Sequence, residues 1–314
     1  MRQSSHVKPQ LRTHLVMVLA LLCALALGPP ASASIEITLK NSFIEEYKNR
    51  ATVEAHFVVD KAHEKPNAPS KDGDLHVAGR ADEVQLPIVA EIMNAKFEKD
   101  AQALIHGAEG TGTPIRVTGA WRLWTEHGGD STQTQGKPLD PFTTTNPDHV
   151  FEIHPVTRVG DEGVEDSFKP IRGYKYKDAF DAFQRYENVR SEIGCGTTSS
   201  TITTGMAGYN YVDFVMELAE DPTHEVADGL TVFASVLDRD GDLLVRNRRM
   251  VFAKGTPPEQ KVRTMKAGNR LRVLGIPRIS LTLVSWRCEN AASRPEVLHW
   301  NLPYEIIVVA VLGK

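Results

Sequence analysis

His149-Val150-Phe151-Glu152-Ile153-His154-Pro155-Val156-Thr157 is the stretch whose reading decides the fold. Taken with the two-residue side-chain period of a strand, it puts His149, Phe151 and Ile153 on one face and Val150, Glu152, His154 and Val156 on the other. A carboxylate and an imidazole then lie side by side. Upstream, Pro114-Ile115-Arg116-Val117-Thr118-Gly119-Ala120-Trp121-Arg122-Leu123-Trp124 reads as a second strand that runs out into Thr125-Glu126-His127-Gly128-Gly129. Two strand ends therefore each carry a Glu and a His.

Further upstream, Lys71-Asp72-Gly73-Asp74 is turn chemistry leading into Leu75-His76-Val77-Ala78-Gly79-Arg80, a strand with Asp74 and His76 on one face. Residues 86–93 form another strand, with Pro87 tolerable near its start. In residues 96–106, Phe97, Ala101, Leu104 and Ile105 recur at helical spacing, and Gly107 ends that helix. Residues 55–60 alternate as a strand, and 35–39 as a short first one. From residue 55, three strands, a helix and two strands is the order of a five-stranded Greek-key barrel of the oligonucleotide- and oligosaccharide-binding (OB) type. Asp72-Gly73-Asp74-Leu75-His76-Val77, Gly112-Thr113-Pro114-Ile115-Arg116-Val117-Thr118-Gly119 and Phe151-Glu152-Ile153-His154-Pro155-Val156 together resemble a group of secreted bacterial proteins of uncharacterised function with OB-like barrels. The resemblance covers about residues 55–160 and implies a fold, not a reaction.

The acidic run Asp161-Glu162-Gly163-Val164-Glu165-Asp166 marks a boundary. Beyond it, Tyr176, Phe180, Phe183 and Val189 trace a partly amphipathic helix, and residues 193–208, rich in Gly, Ser and Thr, suit a linker or a threonine hairpin. Residues 211–218, 230–237, 243–252, 270–279 and 304–311 then give five more strands, with a short helix at 257–265. Asp238-Arg239-Asp240-Gly241-Asp242 reads as a hairpin turn rather than a calcium loop, because Arg249 stands where a bidentate Glu is required. The expected architecture is mainly β: two OB-like Greek-key barrels, 35–160 and 209–314, joined by a helix-containing linker, 161–208. An irregular β-sandwich would give much the same string.

A net charge of −4, with 24% charged and 41% hydrophobic residues, describes an ordinary globular chain and excludes a dominant nucleic-acid footprint. Arg2, Lys8 and Arg12, an apolar run at 15–27, and Gly28-Pro29-Pro30 before Ala31-Ser32-Ala33 read as a signal peptide over 1–34. The run is shorter than the roughly 20 residues of a spanning helix. Cys23 follows Leu22, where a lipoprotein signal needs a small residue. Cleavage after Ala33 implies periplasmic or extracellular export with no stable membrane span. Cys195 and Cys288 then remain, an even pair expected to form a disulfide worth on the order of 4 kcal/mol.

Asp74, His76, Glu152 and His154 are the candidate metal ligands, and Glu126, His127, Glu152 and His154 the candidate catalytic groups. Carboxylates and imidazoles suit Zn, Mn or Fe, which lower the pKa of bound water. The competing reading is that Glu152 and His154 close the barrel through pairs with Arg116, Arg122 or Arg158. Trp121 and Trp124 fall on opposite faces, so one is core and the other could stack on a base or sugar. Arg246 with Arg248, and Arg270 with Arg272, share strand faces that could bind an anionic polymer. No nucleophile elbow, phosphate loop or dinucleotide fingerprint is present in the sequence. The leading reading is an exported binding protein whose ligand is an anionic polymer, nucleic acid or glycan. The alternatives are a hydrolase dependent on a divalent metal, and a structural protein that docks an envelope partner through the 174–189 helix.

Overall fold

The computed structural model describes residues 34–129 and 132–313; the signal-peptide stretch and Cys23 lie outside them. In chain order the first half contains β1 (Ser34–Lys40), α1 (Asn41–Tyr47), β2 (Thr52–Ala62), β3 (Leu75–Arg80), β4 (Ile88–Ile92), α2 (Lys99–Ala108), β5 (Ile115–Leu123), β6 (Gln133–Thr134), β7 (Phe151–Val159) and β8 (Glu162–Gly163). The connecting region holds β9 (Lys177–Asp178), α3 (Ala179–Asn188), β10 (Arg190–Cys195) and β11 (Ser199–Gly205). The remainder comprises β12 (Val212–Leu218), β13 (His224–Val226), β14 (Gly229–Leu237), β15 (Leu243–Ala253), α4 (Pro257–Val262), β16 (Arg270–Ile279), α5 (Leu281–Asn290), β17 (His299–Asn301) and β18 (Tyr304–Val311).

Two closed five-stranded barrels result. The first has the cyclic order β2-β3-β4-β7-β5, and its closing pair β4–β7 is parallel, with Ile88 opposite Phe151. The second has the order β12-β14-β15-β18-β16, again with one parallel pair, β15–β18. In both, a helix (α2 or α4) falls between the third and fourth strands, which is the OB arrangement twice over. In β2 the two-residue alternation does the sorting: Val53, Ala55, Phe57 and Val59 point inward while Glu54 and His56 face solvent. In β7 almost every residue is buried on both faces, because its outer side packs against the second barrel. Ala51, Met93 and Ala120 from the first barrel meet Tyr211, Val251, Leu274, Ile276 and Ile307 in that seam.

The barrels repeat more than topology. Arg122 on the fourth strand of the first stands opposite Glu152 on the fifth, and Arg278 stands opposite Glu305 at the corresponding place in the second. Three residues before each arginine is a glycine, Gly119 or Gly275, beside a register shift in the ladder. A Cβ on Gly119 would lie 2.5 Å from the Pro155 carbonyl oxygen, and one on Gly275 would lie 2.5 Å from Ile306 Cγ2. Only glycine lets the strands approach so closely. The two guanidinium groups cross the seam in opposite senses: Arg122 Nε donates to the Pro277 carbonyl at 3.0 Å, and Arg278 Nη1 donates to the Trp121 carbonyl at 3.0 Å. Each arginine thus grips the residue preceding its counterpart.

Two segments depart from the sequence expectation. Residues 35–39 do not open the first barrel: β1 runs antiparallel to β11 in a separate sheet of order β17-β10-β11-β1-β6, with the Thr38 and Thr201 hydroxyls 2.9 Å apart. The Gly/Ser/Thr-rich stretch is therefore the β10–β11 hairpin of that sheet rather than a free linker. Cys195 and Cys288 are joined in a disulfide that ties β10 to α5. The connecting helix is shorter than residues 174–189, starting at Ala179 with the Asp178 carboxylate accepting from the Phe180 N–H as its cap. It buries Phe183 and Tyr186 against the molecule and leaves Phe180 exposed. Among the described residues, no helix is long and apolar enough to cross a membrane.

Candidate functional site

The outer face of β7 carries a polar cluster into the seam. His154 Nε2 lies 2.7 Å from the Tyr211 hydroxyl, which donates to Asp74 Oδ2. The other ring nitrogen, Nδ1, lies 3.1 Å from Glu91 Oε2 and 3.2 Å from Glu152 Oε2. Glu152 accepts from Arg122 Nη1 through both oxygens, at 2.8 and 2.6 Å, and Arg122 Nη2 donates to Glu126 at 3.0 Å. His149 Nε2 is 3.4 Å from Glu152 Oε1, while its Nδ1 bonds the Pro147 carbonyl at 2.7 Å. His127 stacks on the His149 ring, and His76, stacked on His63, comes within 3.7 Å of Glu91. His149, Arg122 and His154 are fully buried, and Asp74, Glu91, Glu152 and Tyr211 nearly so.

Burial separates the carboxylates electrostatically. Asp74 is raised well above the usual range by desolvation and then by the neighbouring Glu91 charge. Desolvation also pushes Glu91 up to about 7, against the pull of His154. For Glu152 burial acts in the same direction, but Arg122, His149 and His154 outweigh it and hold the carboxyl well below the usual range. Burial lowers His149 and is overcome by Glu152, so its net shift is upward. His76 and His127 are lowered, chiefly by burial. Two buried atoms here, Asp74 Oδ1 and His149 Nε2, have no hydrogen-bond partner.

The structure thus brings Asp74, His76, Glu126, His127, Glu152 and His154 into one neighbourhood. Strand alternation misplaced His149, which precedes β7 and turns back beside Glu152 instead of following Phe151. Glu91 and Tyr211 were not in the expected set, while Arg122 takes the pairing role opposite Glu152 that the competing reading gave it. Glu91 sits in an otherwise apolar strand, a signal that one ionisable group among Ile88, Val89, Ala90 and Ile92 could have given.

The expected ligand-binding residues fare differently. Trp121 and Trp124 are both buried, their indole N–H groups donating to the Arg50 and Gly208 carbonyls, so neither offers a stacking face. Arg270 is paired with Glu217 directly across the ladder. Arg272 is held by both oxygens of Asp213, and Arg248 donates to Glu187 while lying over the Tyr304 ring. Arg246 is exposed. The cationic faces read from β15 and β16 are largely neutralised by acids on β12 and α3 that strand-by-strand reading does not see.

A different basic surface lies on the first barrel. A groove of about 560 Å³ runs beside β2 and β3, lined by Lys40, His56, Arg80 and Lys137 together with one acid, Asp82, and with Gln85 and Leu139. Residues 124–150, the connection between the fourth and fifth strands, supply its Gly136–Leu139 wall. Arg80 is fixed to Asp60 by two bonds, whereas Lys40 and Lys137 are exposed.

The fold and site define a double OB-type barrel protein with a buried polar seam and a basic groove. No protein-family model and no curated protein matches the chain. Among solved structures, one described as "Structural mimicry for functional antagonism" is similar at 11% identity, over 75% of this chain and 90% of that chain, with a TM-score of 0.17. That likeness carries no argument about fold or function.

Proposed function

We propose that the chain is an exported, non-catalytic binding protein whose first barrel holds an anionic polymer in the groove beside β2 and β3. The groove itself is the observation that supports this. It combines exposed lysines with the connection between the fourth and fifth strands, a region that OB barrels use for oligonucleotides and oligosaccharides. Lys40 and Lys137 make the charge contacts; Arg80, tied to Asp60, shapes the wall. The Cys195–Cys288 disulfide suits the oxidising compartment that export implies. The polymer thus moves from the second barrel, whose Arg248, Arg270 and Arg272 are paired with acids, to the first.

The test is binding of an oligothymidylate and of a sulfated oligosaccharide to the wild type and to a Lys40→Glu/Lys137→Glu double variant. Two phosphate contacts give a log–log salt slope of about −1.4 for a single strand, and losing them flattens it. Wild-type binding that is weakened at least tenfold in the variant supports the proposal. Absence of binding to both polymers, or equal affinity in the variant, overturns it.

A further inference from the structure

We propose that Glu91, His149 and Glu152, with His154 at the fourth position, hold a divalent cation of the zinc class inside the first barrel's outer wall. Each histidine has one ring nitrogen already committed. His149 Nδ1 faces the Pro147 carbonyl, which can only accept, so that nitrogen carries the proton and Nε2 is left with its lone pair. Nε2 is buried without a hydrogen-bond partner and faces Glu152. In His154, Nε2 donates to the Tyr211 hydroxyl, which passes its own proton to Asp74, so the Nδ1 lone pair looks at Glu91 and Glu152. A histidine ligand fixed through its far nitrogen by a carbonyl or a carboxylate relay is the usual outer support of a metal site.

Spacing and charge agree. Zinc–ligand bonds of about 2.0–2.1 Å in a tetrahedron place neighbouring donor atoms about 3.3 Å apart. Here His154 Nδ1 is 3.1 Å from Glu91 Oε2 and 3.2 Å from Glu152 Oε2, and His149 Nε2 is 3.4 Å from the other carboxylate oxygen, Glu152 Oε1, so the two histidines approach Glu152 from its two sides. One donor atom each from Glu91, His149 and Glu152 lies within 4.8 Å of the others. Arg122 is shared between Glu152 and Glu126, so one cation faces these two carboxylates and Glu91, a balance that leaves two negative charges for a doubly charged ion to neutralise. Asp74 falls outside this trio but forms an adjoining one with Glu91 and His154, which reaches it through Tyr211, and His76 groups with Asp72 and Asp74 instead. Because the ligands are sealed, the ion enters as the barrel folds and leaves slowly.

The experiment unfolds the full mature chain in chelator, refolds it with or without zinc, removes free metal by gel filtration and measures retained zinc. Cobalt refolding supplies a second readout, the intense visible bands of a tetrahedral site. The expected result is one zinc per chain, with retention lost in Glu91→Gln and His149→Gln and kept in His76→Ala. Ring ¹⁵N spectra of the wild type keep the test decisive where a variant does not fold: zinc refolding should shift His149 Nε2 and His154 Nδ1 away from protonated positions. Failure to retain zinc, retention by folded Glu91→Gln and His149→Gln chains, or doubly protonated rings in zinc-refolded protein would overturn the proposal. The last outcome would mean that protons fill the positions assigned to the ion. None of these outcomes bears on the polymer groove, which is tested separately.

Discussion

Replacing Arg278 with methionine should remove the hinge pin of the seam while preserving most of the side-chain volume. The guanidinium is wholly buried, donates to Glu305 Oε1 at 2.7 Å, reaches the Arg50 and Trp121 carbonyls at 3.0 Å and the Ala51 carbonyl at 3.3 Å, and lies 3.5 Å over the Trp121 ring. Glu305 would keep Arg249 at 2.7 Å and Ser280 at 3.0 Å, so its charge is not abandoned. Breaking one side of a buried pair destabilises by about 3–5 kcal/mol, and Arg278→Met should fall in that range. Glu305→Gln should do likewise, since it leaves two arginines facing a neutral amide. The double variant should be less unstable than the sum by about 2 kcal/mol or more, because each change removes the group that the other leaves short of a partner. Urea unfolding with unchanged slope measures all three. A loss below about 1 kcal/mol for Arg278→Met, or strict additivity in the cycle, would refute the claim that the two barrels are locked through this pair.

Acid should test the same group: Arg278 and Arg249 outweigh burial and hold the Glu305 carboxyl below its ordinary value of 4.5, so its contribution is present at neutral pH and lost as pH falls below 4.5 through the lower native value. Unfolding scans at stepwise lower pH should show that loss in the wild type and a smaller one in Glu305→Gln. Reducing Cys195–Cys288, which are 93 residues apart, should destabilise by about 4–5 kcal/mol on the chain-entropy model, read as a drop in Tm with reductant. Gly119→Ala should cost about 1–3 kcal/mol or more, because the new Cβ meets backbone at Pro155 and Val156 rather than a yielding side chain, and thermal unfolding reports it. Tyr211→Phe should cost about 1–3 kcal/mol in urea unfolding by leaving buried Asp74 without its donor.

Much of the fold was legible because a strand with one dry face declares itself. Val53, Ala55, Phe57 and Val59 alternate, and Gly73, at φ +79°, makes the turn that Asp72-Gly73-Asp74 announces. The second barrel followed for the same reason, its strands separated by turns such as the one that Asp238 organises by accepting from the Asp240 and Asp242 N–H groups. What escaped was pairing over distance. Nothing local says that β1 belongs beside β11, or that Glu217 will stand opposite Arg270. Trp121 and Trp124 were read as a choice between core and surface, but a strand enclosed by two barrels has no wet side. The site was half visible: Glu152 and His154 stood out as neighbours on a strand, whereas Tyr211 comes from beyond the connecting region. The repeated Gly-Xaa-Xaa-Arg at 119–122 and 275–278 was a usable signal, since both copies prepare an arginine for a glutamate on the next strand.

The strand order carries a consequence for how the molecule is made. β18 inserts between β15 and β16, so the second cylinder stays an open ribbon until residues 304–311 have emerged, while the first can close once β7 is available. The neighbouring strand β1 likewise waits for a hairpin some 160 residues downstream. Synthesis therefore leaves a nearly finished half beside a frayed one until its last residues are added, and a chaperone acting on this chain would find its work concentrated on the late half.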